Sequence, residues 1–317
     1  MTKIKRVHAF GREMVSFFNK EGELFEDREV VVLESDEEFI AKLPEIEALV
    51  GHRMPRGHWA GASRLRLVQL PGAGVDSLLP APDLSEAVQV CNASGSHEPE
   101  MPEFVLALLH ALVYRIPTLV DRQRSKEWKL IVATAPLQGR TVCVVGLGTI
   151  GQSVARRCAT LGMTVVGVRN SGLPVAGVDK VVTPERRLEV LSDADAVVVI
   201  TPLTEATRGL VGSEELSVLA KGAVLVDVSR GGVMDADALV DTLANGPLEA
   251  AAVDVFDTEP LPVDSPLWTT PNLLVTPHTA GWSRHYADRI LDVTLANIEA
   301  VERGETPPTL VDRQLGY

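Results

Sequence analysis

A glycine-rich stretch directly after an apolar run most constrains how this 317-residue chain folds. Residues 141–145 read T-V-C-V-V, residues 146–151 read G-L-G-T-I-G, and apolar residues then recur at helical spacing up to Gly162. In a G-x-G-x-x-G turn, the first glycine allows a tight strand-to-helix turn, the second admits a diphosphate, and the third lets helix and strand pack closely. The helix N-terminus then favours negative charge. The residues predicted to bind the diphosphate of a dinucleotide are Gly146, Gly148, Thr149, Ile150 and Gly151.

The end of the next predicted strand, residues 163–168, indicates which dinucleotide binds. Folds that prefer NAD usually place Asp or Glu there, roughly 20 residues after the first glycine, to bind the ribose 2′-hydroxyl. This chain instead has Arg169, Asn170 and Ser171, which include no carboxylate. A guanidinium fork with two small hydrogen-bonding neighbours suits a 2′-phosphate. The sequence therefore predicts NADP (NADPH) as the cofactor, in preference to NAD, with these three residues as contacts.

The composition excludes several classes of function. A net charge of −13 argues against binding to nucleic acid or to an anionic membrane surface. No apolar run is long enough to span a bilayer. The chain has an odd number of cysteines, Cys91, Cys143 and Cys158, which predicts no disulfide framework and a cytoplasmic location. No Cys or His cluster has the spacing of metal ligands, so no metal is expected.

Two regions of alternating strands and helices predict two parallel-sheet domains. The first ninety residues contain five short predicted strands, at 7–10, 29–33, 48–50, 65–69 and 88–91. After the strands at 141–145 and 163–168, further strands are predicted at 196–200, 223–226, 250–253 and 273–275. Helices are predicted around 101–115, from Ser213 to Gly222, and from Asp235, as its N-cap, to Gly246. A last helix, roughly 284–302, is expected to return to the first domain. The predicted domains are a discontinuous substrate domain, 1–94 and 285–317, and a cofactor domain, 95–284.

Three later segments place polar residues just beyond predicted strands. They are S-R-G-G at 229–232, D-V-F-D-T-E-P at 254–260 and T-P-H-T-A at 276–280. In a doubly wound sheet, the carboxyl ends of the strands face the ligand. Taken singly, each segment is also compatible with a solvated arginine, a surface glutamate or a structural histidine. Their significance depends on their occurring together and in this order.

The ordered motifs resemble the D-isomer-specific 2-hydroxyacid dehydrogenases over nearly the whole chain. Residues 72–77, 265–268 and 311–317 look like the glyoxylate/hydroxypyruvate reductase branch, and Asn92-Ala93 also match the family. The resemblance implies an α/β fold of two doubly wound parallel-sheet domains, with a Rossmann cofactor domain inserted into a smaller flavodoxin-like substrate domain. It also implies a homodimer formed through the cofactor domain.

The implied reaction is NADPH-dependent reduction of a small 2-oxoacid, such as glyoxylate or hydroxypyruvate, to the D-2-hydroxyacid. A histidine suits the proton transfer because its pKa lies near working pH, which makes His278 the candidate acid/base. Glu259 is the candidate that orients its ring, and Arg230 supplies a permanent cation for the substrate carboxylate and the developing alkoxide. Two alternatives stay open: a dehydrogenase of a bulkier D-2-hydroxyacid, and a non-catalytic NAD(P)-sensing protein like the corepressors built on this fold.

The resemblance assigns further contacts. Gly72, Ala73 and Gly74 are expected to offer backbone N–H groups to the substrate carboxylate, although a simple tight turn is the other interpretation. Trp282 either lines the substrate pocket or packs at the domain hinge. Asp254 either accepts a hydrogen bond from the nicotinamide carboxamide or caps a strand end. The residues expected to line the cofactor groove are Thr201, Pro202, Val228 and Ser229.

Overall fold

Two parallel β-sheets organise the computed structural model, which describes residues 3–11, 28–131 and 136–317. One sheet lies in a unit formed by Met1–His97 and Ser283–Tyr317, and the other lies in a unit formed by Glu98–Trp282. The helices of the described residues are α1 Asp36–Lys42, α2 Glu100–Val113, α3 Ile116–Ser125, α4 Thr149–Thr160, α5 Arg187–Leu191, α6 Ser213–Ser217, α7 Ala236–Asn245 and α8 Tyr286–Arg303. Each unit is an α/β domain, as the alternating pattern predicts.

The smaller unit contains a five-stranded sheet in the order β2-β1-β3-β4-β5. This doubly wound order is that of flavodoxin-like folds. The sequence prediction for these strands is confirmed to within two residues at each end. The strands are β1 Arg6–Phe10, β2 Glu29–Leu33, β3 Ala48–Gly51, β4 Leu67–Gln69 and β5 Gln89–Cys91.

Both faces of this sheet are covered by apolar side chains. Helix α8 covers one face and contributes Tyr286, Ile290 and Ile298 to a core shared with β1, β3 and β4. The other face packs against Phe39 of α1 and Trp59 of a short 3₁₀ helix. These two rings contact each other edge to face, with their centroids 5.6 Å apart. Because α8 lies near the end of the chain, the C-terminal segment completes the core begun by the N-terminal strands.

The larger unit contains a seven-stranded parallel sheet in the order β12-β11-β10-β9-β6-β7-β8. The strand order reverses between β6 and β9, the switch point at which doubly wound sheets bind dinucleotides. The prediction missed only the edge strand β8, whose three residues carry no readable periodicity. The strands are β6 Thr141–Val145, β7 Thr164–Val168, β8 Lys180–Val182, β9 Ala196–Val199, β10 Ala223–Asp227, β11 Leu248–Val253 and β12 Leu273–Val275.

The continuous apolar run of β6 reflects burial of both of its faces. Val142 and Val144 point into a core shared with α2 and α4, whereas Cys143 and Val145 point into a second core that includes Leu216 of α6 and Leu239 of α7. A strand covered on both sides cannot alternate apolar with polar residues. Thr141–Val145 therefore reads as one unbroken hydrophobic segment.

The helix predicted around residues 101–115 is confirmed as α2, to within two residues at each end. A break separates it from α3: Arg115 adopts a left-handed φ of 51°, and Pro117 lies in the first turn of α3. Proline is favoured at the start of a helix and disfavoured within one, which explains the break. Helix α6 ends at Ser217, short of the expected Gly222. In the described part of the chain, no single helix is long and apolar enough to span a membrane. By length and composition alone, α2 and α3 together would be, but they are bent by 61° relative to each other.

Candidate active site

The glycine loop between β6 and α4 has the close approaches that its sequence predicts. Gly146 has a left-handed φ of 109°, and a Cβ atom there would lie 2.7 Å from the carbonyl oxygen of Ile200. A Cβ at Gly151 would overlap the carbonyl oxygen of Gly146. A Cβ at Gly148, by contrast, would meet no heavy atom within 4 Å. The loop is tightly packed at Gly146 and Gly151 and open at Gly148, where the backbone can face a ligand.

Two features of this loop fit a bound dinucleotide. No side chain caps the N-terminus of α4, so its first N–H groups remain available to an anion. Beside Gly146, the buried hydroxyl of Thr201 has no hydrogen-bond partner within the described residues. A buried hydroxyl without a partner is costly, and a ligand atom in the groove would satisfy it. Thr201, which is predicted to line the groove together with the adjacent Pro202, thus lies against the glycine loop.

Arg169 is the first residue after β7, and its backbone N–H donates to the carbonyl oxygen of Val182 on β8 at 2.9 Å. Its side chain is half-buried and forms no ion pair with the described part of the chain. Asn170 and Ser171 follow in exposed positions. The predicted 2′-phosphate contacts therefore stand together at the end of β7, on the same strand-to-helix side of the sheet as the glycine loop.

His278 and Glu259 form a hydrogen-bonded pair of titratable side chains in the loops that follow β12 and β11. His278 Nδ1 lies 2.8 Å from Glu259 Oε2, and the two side chains are 43% and 24% exposed. The other carboxylate oxygen of Glu259 accepts a hydrogen bond from the backbone N–H of Phe256 at 3.0 Å. With Nδ1 facing the carboxylate, the Nε2 atom of His278 is left to face a substrate.

The loop that carries His278 is held by Asp254. The buried Asp254 carboxylate accepts from Thr276 Oγ1 at 2.5 Å, from the N–H of Thr279 at 3.0 Å and from the N–H of Ala280 at 2.9 Å. His278 itself has a left-handed φ of 48°, which costs a non-glycine residue about 1 kcal/mol. Asp254 thus fixes a strained loop from the inside. Its predicted contact with the nicotinamide stays a prediction.

Arg230 follows β10 in a loop that packs against the segment carrying Glu259. A Cβ at Gly231 would overlap the backbone carbonyl of Phe256, so only glycine allows this approach. The Arg230 guanidinium donates to the carbonyl oxygen of Ser229 at 2.7 Å. Val228 and Ser229 lie between the end of β10 and Arg230. Their predicted contact with the cofactor stays a prediction.

Asp227, the last residue of β10, is a buried carboxyl to which the sequence analysis gave no role. Its Oδ1 atom accepts from the N–H of Ser229 at 2.9 Å and from the Ser229 hydroxyl at 2.5 Å. Burial raises the pKa of Asp227 to about 7, partly offset by the hydrogen bonds from Ser229, while the nearby Asp254 raises the pKa further and Arg230 lowers it. The sequence feature that could have identified Asp227 is its position as the one carboxylate at the end of a strand of otherwise apolar residues.

The predicted substrate contacts lie in both units. Gly72, Ala73 and Gly74 follow β4 in the smaller unit and are half-buried. Trp282 ends the larger unit four residues beyond His278 and is 62% exposed. The structure therefore places Arg230, Glu259, His278 and the glycine loop on one unit, and the Gly72–Gly74 turn on the other.

The three cysteines are buried core residues. Burial raises the pKa of each thiol to about 12, because a thiolate is poorly solvated inside the protein. A thiol with so high a pKa is a poor nucleophile at neutral pH. Cys91, Cys143 and Cys158 therefore pack as small apolar side chains.

Comparison with known proteins adds a family and named relatives. A family model described as the D-isomer specific 2-hydroxyacid dehydrogenase NAD binding domain matches residues 106–280. The chain is 34% identical over 265 residues to the glyoxylate reductase of Korarchaeum cryptofilum (strain OPF8), covering 80% of this chain and 78% of that protein. The range matched by the family model, residues 106–280, contains the glycine loop, Arg230, Glu259 and His278.

Two solved structures resemble the whole chain. A D-isomer specific 2-hydroxyacid dehydrogenase from Xanthobacter autotrophicus Py2, solved in complex with NADPH and MES, is 30% identical, with a TM-score of 0.86 and 100% coverage of both chains. An NADPH-dependent glyoxylate/hydroxypyruvate reductase from Sinorhizobium meliloti, solved with NADP and sulfate, is 26% identical, with a TM-score of 0.88 and coverage of 99% of this chain and 100% of that chain. The fold of each unit therefore has counterparts among solved structures.

Proposed function

The chain belongs to the D-isomer-specific 2-hydroxyacid dehydrogenase family, and from this premise we propose that it reduces a small 2-oxoacid to the D-2-hydroxyacid with NADPH. Family membership itself makes the protein an NAD(P)-dependent oxidoreductase acting on small 2-oxoacids or 2-hydroxyacids. The observation that carries the finer proposal is the His278–Glu259 pair, 2.8 Å apart on the loops that follow β11 and β12. Glyoxylate and hydroxypyruvate are the proposed substrates.

In this mechanism, His278 donates a proton from Nε2 to the substrate carbonyl oxygen as the carbonyl carbon receives a hydride. The nicotinamide cofactor supplies that hydride when bound. Glu259 accepts the Nδ1–H of His278, which orients the ring with Nε2 towards the substrate. Since Glu259 is itself held by the N–H of Phe256, the ring orientation is fixed by the backbone. In the reverse direction, neutral His278 accepts the hydroxyl proton of a D-2-hydroxyacid.

Arg230 is proposed to bind the substrate carboxylate and to stabilise the alkoxide that forms on the reduced carbon. A guanidinium is always charged and presents several N–H donors in one plane, which suits a carboxylate. Hydrogen bonds from Ser229 to Asp227 fix the backbone immediately before Arg230. A fixed cation aimed at developing negative charge lowers the barrier without reorganisation during the reaction.

The proposed preference for NADPH rests on Arg169. The half-buried Arg169 has no ion pair with a described residue, and no carboxylate stands at the end of β7, where an NAD-preferring fold would place one. A guanidinium at this position recognises a 2′-phosphate, with Asn170 and Ser171 as additional donors. The glycine loop from Gly146 to Gly151 and the unpartnered hydroxyl of Thr201 are proposed to bind the rest of the dinucleotide.

The smaller unit is proposed to bind the substrate through the N–H groups of Gly72, Ala73 and Gly74. We assign the substrate domain to residues 1–94 with 285–317 and the cofactor domain to residues 95–284. Trp282 is proposed to line the substrate pocket, where its size would exclude bulky 2-oxoacids. A panel that includes 2-oxoacids with larger side chains separates this proposal from a dehydrogenase of a bulkier D-2-hydroxyacid.

A homodimer formed through the cofactor domain is proposed on the basis of exposed apolar side chains. Six large apolar residues are exposed within a short part of the larger unit, at the end of α2, along α3 and just after it. Exposed large apolar side chains concentrated in one part of a protein often mark a protein–protein interface. The six are Tyr114, Ile116, Leu119, Val120, Trp128 and Leu130. Sedimentation or light scattering tests the dimer, and a monomer at micromolar concentration would contradict it.

The proposed reaction is tested by NADPH oxidation in the presence of a 2-oxoacid panel, with His278→Ala and a matched control. His285 serves as the control, because its Nδ1 also faces a carboxylate, that of Asp288 at 3.6 Å, on an exposed turn. We expect His278→Ala to lower kcat by about a hundredfold or more, the usual contribution of acid–base catalysis, and His285→Ala to leave it unchanged. Wild type that reduces no 2-oxoacid, or equal losses in both variants, would refute the proposal.

The cofactor preference is tested by comparing kcat/KM for NADPH and NADH. Arg169→Gln removes the charge, and Arg124→Gln, on the exposed end of α3, is the control for loss of an arginine from the same unit. We expect Arg169→Gln to lower kcat/KM for NADPH by about tenfold or more, since charged hydrogen bonds contribute about 1.5–3 kcal/mol, and to change the value for NADH little. Wild type that uses NADH as well as NADPH would contradict the preference.

A further inference from the structure

In the turn that follows β4, the carbonyl oxygens of Pro71, Gly72 and Ala73 each accept a hydrogen bond. The Tyr286 hydroxyl donates to the carbonyl oxygen of Pro71 at 2.9 Å. The N–H of Ala93 donates to the carbonyl oxygen of Gly72 at 2.9 Å. The Asn92 side-chain amide donates to the carbonyl oxygen of Ala73 at 2.8 Å. All three donors belong to the smaller unit, so the turn is held from one side by its own domain.

Fixing these carbonyl oxygens also fixes the N–H groups of the next residues. In a planar trans peptide, the C=O and the following N–H point in opposite directions. The bound carbonyls therefore turn the N–H groups of Gly72, Ala73 and Gly74 to the other side of the turn, where no described residue accepts a hydrogen bond from them. A Cβ at Gly72 would meet only the Gly74 nitrogen, at 4.0 Å, so that side is open. Successive outward N–H groups form an anion-binding concavity.

Asn92 is suited to hold this turn because its other polar groups are also bonded. Its backbone N–H donates to Thr309 O at 3.2 Å, and its backbone carbonyl accepts from Gln69 Nε2 at 2.8 Å and from Thr309 Oγ1 at 2.6 Å. Its side-chain oxygen accepts from the N–H of Ser94 at 3.0 Å. Because that donor identifies the oxygen, the amide nitrogen must be the atom that faces Ala73.

The network extends to α8. Asn297 of that helix donates from Nδ2 to Gln69 Oε1 at 2.7 Å and to Thr309 Oγ1 at 2.8 Å. Tyr286 lies in the first turn of the same helix, and its ring stacks on His97 with centroids 5.0 Å apart. Buried, mutually satisfied polar groups of this kind hold a single geometry, because any displacement leaves a buried group unpaired.

We propose that Asn92 and Tyr286 are positioning residues for the substrate carboxylate. They hold the carbonyl groups of Pro71 and Ala73 inward, so that the N–H groups of Gly72 and Gly74 face the anion. The bond from the N–H of Ala93 to the Gly72 carbonyl orients the N–H of Ala73 in the same way. The inference rests on the proposed function, and it extends that function to residues that do not themselves touch substrate. It predicts a defect specific to the charged carboxylate, which a general loss of stability would not produce.

The test compares Tyr286→Phe and Asn92→Ala with the control Thr294→Val. Tyr286→Phe removes only the hydroxyl and keeps the ring. Thr294 is also buried on α8, and among the described residues its hydroxyl bonds only to Ile290 O of the same helix, at 2.6 Å. The measurements are the KM for glyoxylate, the KM for its uncharged methyl ester, the Kd for oxalate measured calorimetrically in the presence of NADP, and the Kd for NADPH. The ester carries the same carbonyl group without the carboxylate charge.

We expect Asn92→Ala to raise the glyoxylate KM and the oxalate Kd by about tenfold and Tyr286→Phe to raise them by about threefold, as for loss of one hydrogen bond. The ester KM and the NADPH Kd should not change, and Thr294→Val should change none of the four values. If Asn92→Ala does not fold, Tyr286→Phe decides the question alone.

Equal increases for acid and ester, or unchanged oxalate binding in Tyr286→Phe, would overturn the inference while leaving the proposed reaction intact. Wild type that neither reduces a 2-oxoacid nor binds oxalate would refute the proposed reaction, and this inference with it.

Discussion

Replacing Asp227 with asparagine tests how the buried carboxyl beside Arg230 affects stability. Burial raises the pKa of Asp227 from 3.8 to about 7 in the folded protein. The folded state therefore keeps this proton to a higher pH than the unfolded state does, and stability falls as pH rises through that window. This loss of stability is absent below a pH of about 4 and is complete above a pH of about 7.

The magnitude follows from the pKa difference. At about 1.4 kcal/mol per pKa unit, ionisation of Asp227 costs the folded state about 4 kcal/mol at a pH of about 8 and about 1.5 kcal/mol at a pH of about 5. Asparagine has nearly the same shape and keeps an oxygen that can accept from the N–H and hydroxyl of Ser229. Asp227→Asn should therefore become increasingly more stable than wild type as pH rises.

Scanning calorimetry of wild type and Asp227→Asn at several pH values measures this effect. For a unit of this size, about 4 kcal/mol corresponds to a difference in Tm of about 10 °C at a pH of about 8, falling towards zero near a pH of about 4. Asp193→Asn, at an exposed position in the same unit, is the control and should show no such trend. A Tm difference that is independent of pH, or that grows towards acid pH, would refute the reasoning.

Two further predictions concern the backbone of the site. Gly148→Ala should fold with the Tm of wild type, because its Cβ meets no atom within 4 Å, but should raise the NADPH Kd by about tenfold or more where the backbone approaches the diphosphate. Gly151→Ala should instead lower the Tm by several degrees, because its Cβ overlaps the Gly146 carbonyl; equal effects of the two alanines on Tm would contradict this contrast. Asp254→Asn should lower the free energy of unfolding by about 2 kcal/mol, because the NH₂ group of the new amide would have to face one of the three donors to Asp254. The kcat should also fall, because the loop that carries His278 would be held less firmly. An unchanged kcat would show that the loop does not need this support.

The sequence sufficed to predict the parallel sheets and the position of the polar segments that follow their strands. Strands buried on both faces read as unbroken apolar runs, as β6 does, and the turn after it requires glycine at Gly146 and Gly151 for steric reasons. The prediction of a helix that begins after Asp235 and ends at Gly246 is also confirmed. Its start depends on local contacts, because the Asp235 side chain accepts hydrogen bonds from the N–H groups of Asp237 and Ala238.

What the sequence could not supply depends on contacts between distant residues. The three donors to Asp254 lie more than twenty residues away, and Tyr286 reaches Pro71 across 215 residues. The pKa of Asp227 depends on its burial, which no local pattern reports. The short strand β8 and the early end of α6 were missed because segments of three to five residues carry too little periodicity.

The central claim is that His278, oriented by Glu259, transfers the proton in NADPH-dependent reduction of a small 2-oxoacid. Its most direct test is the steady-state rate of NADPH oxidation with glyoxylate or hydroxypyruvate, measured for wild type and His278→Ala at equal NADPH saturation. We predict turnover by wild type and a kcat lower by about a hundredfold or more in the variant, with NADPH binding unchanged. Undiminished turnover in His278→Ala, or its absence in wild type with every 2-oxoacid tried, would contradict it.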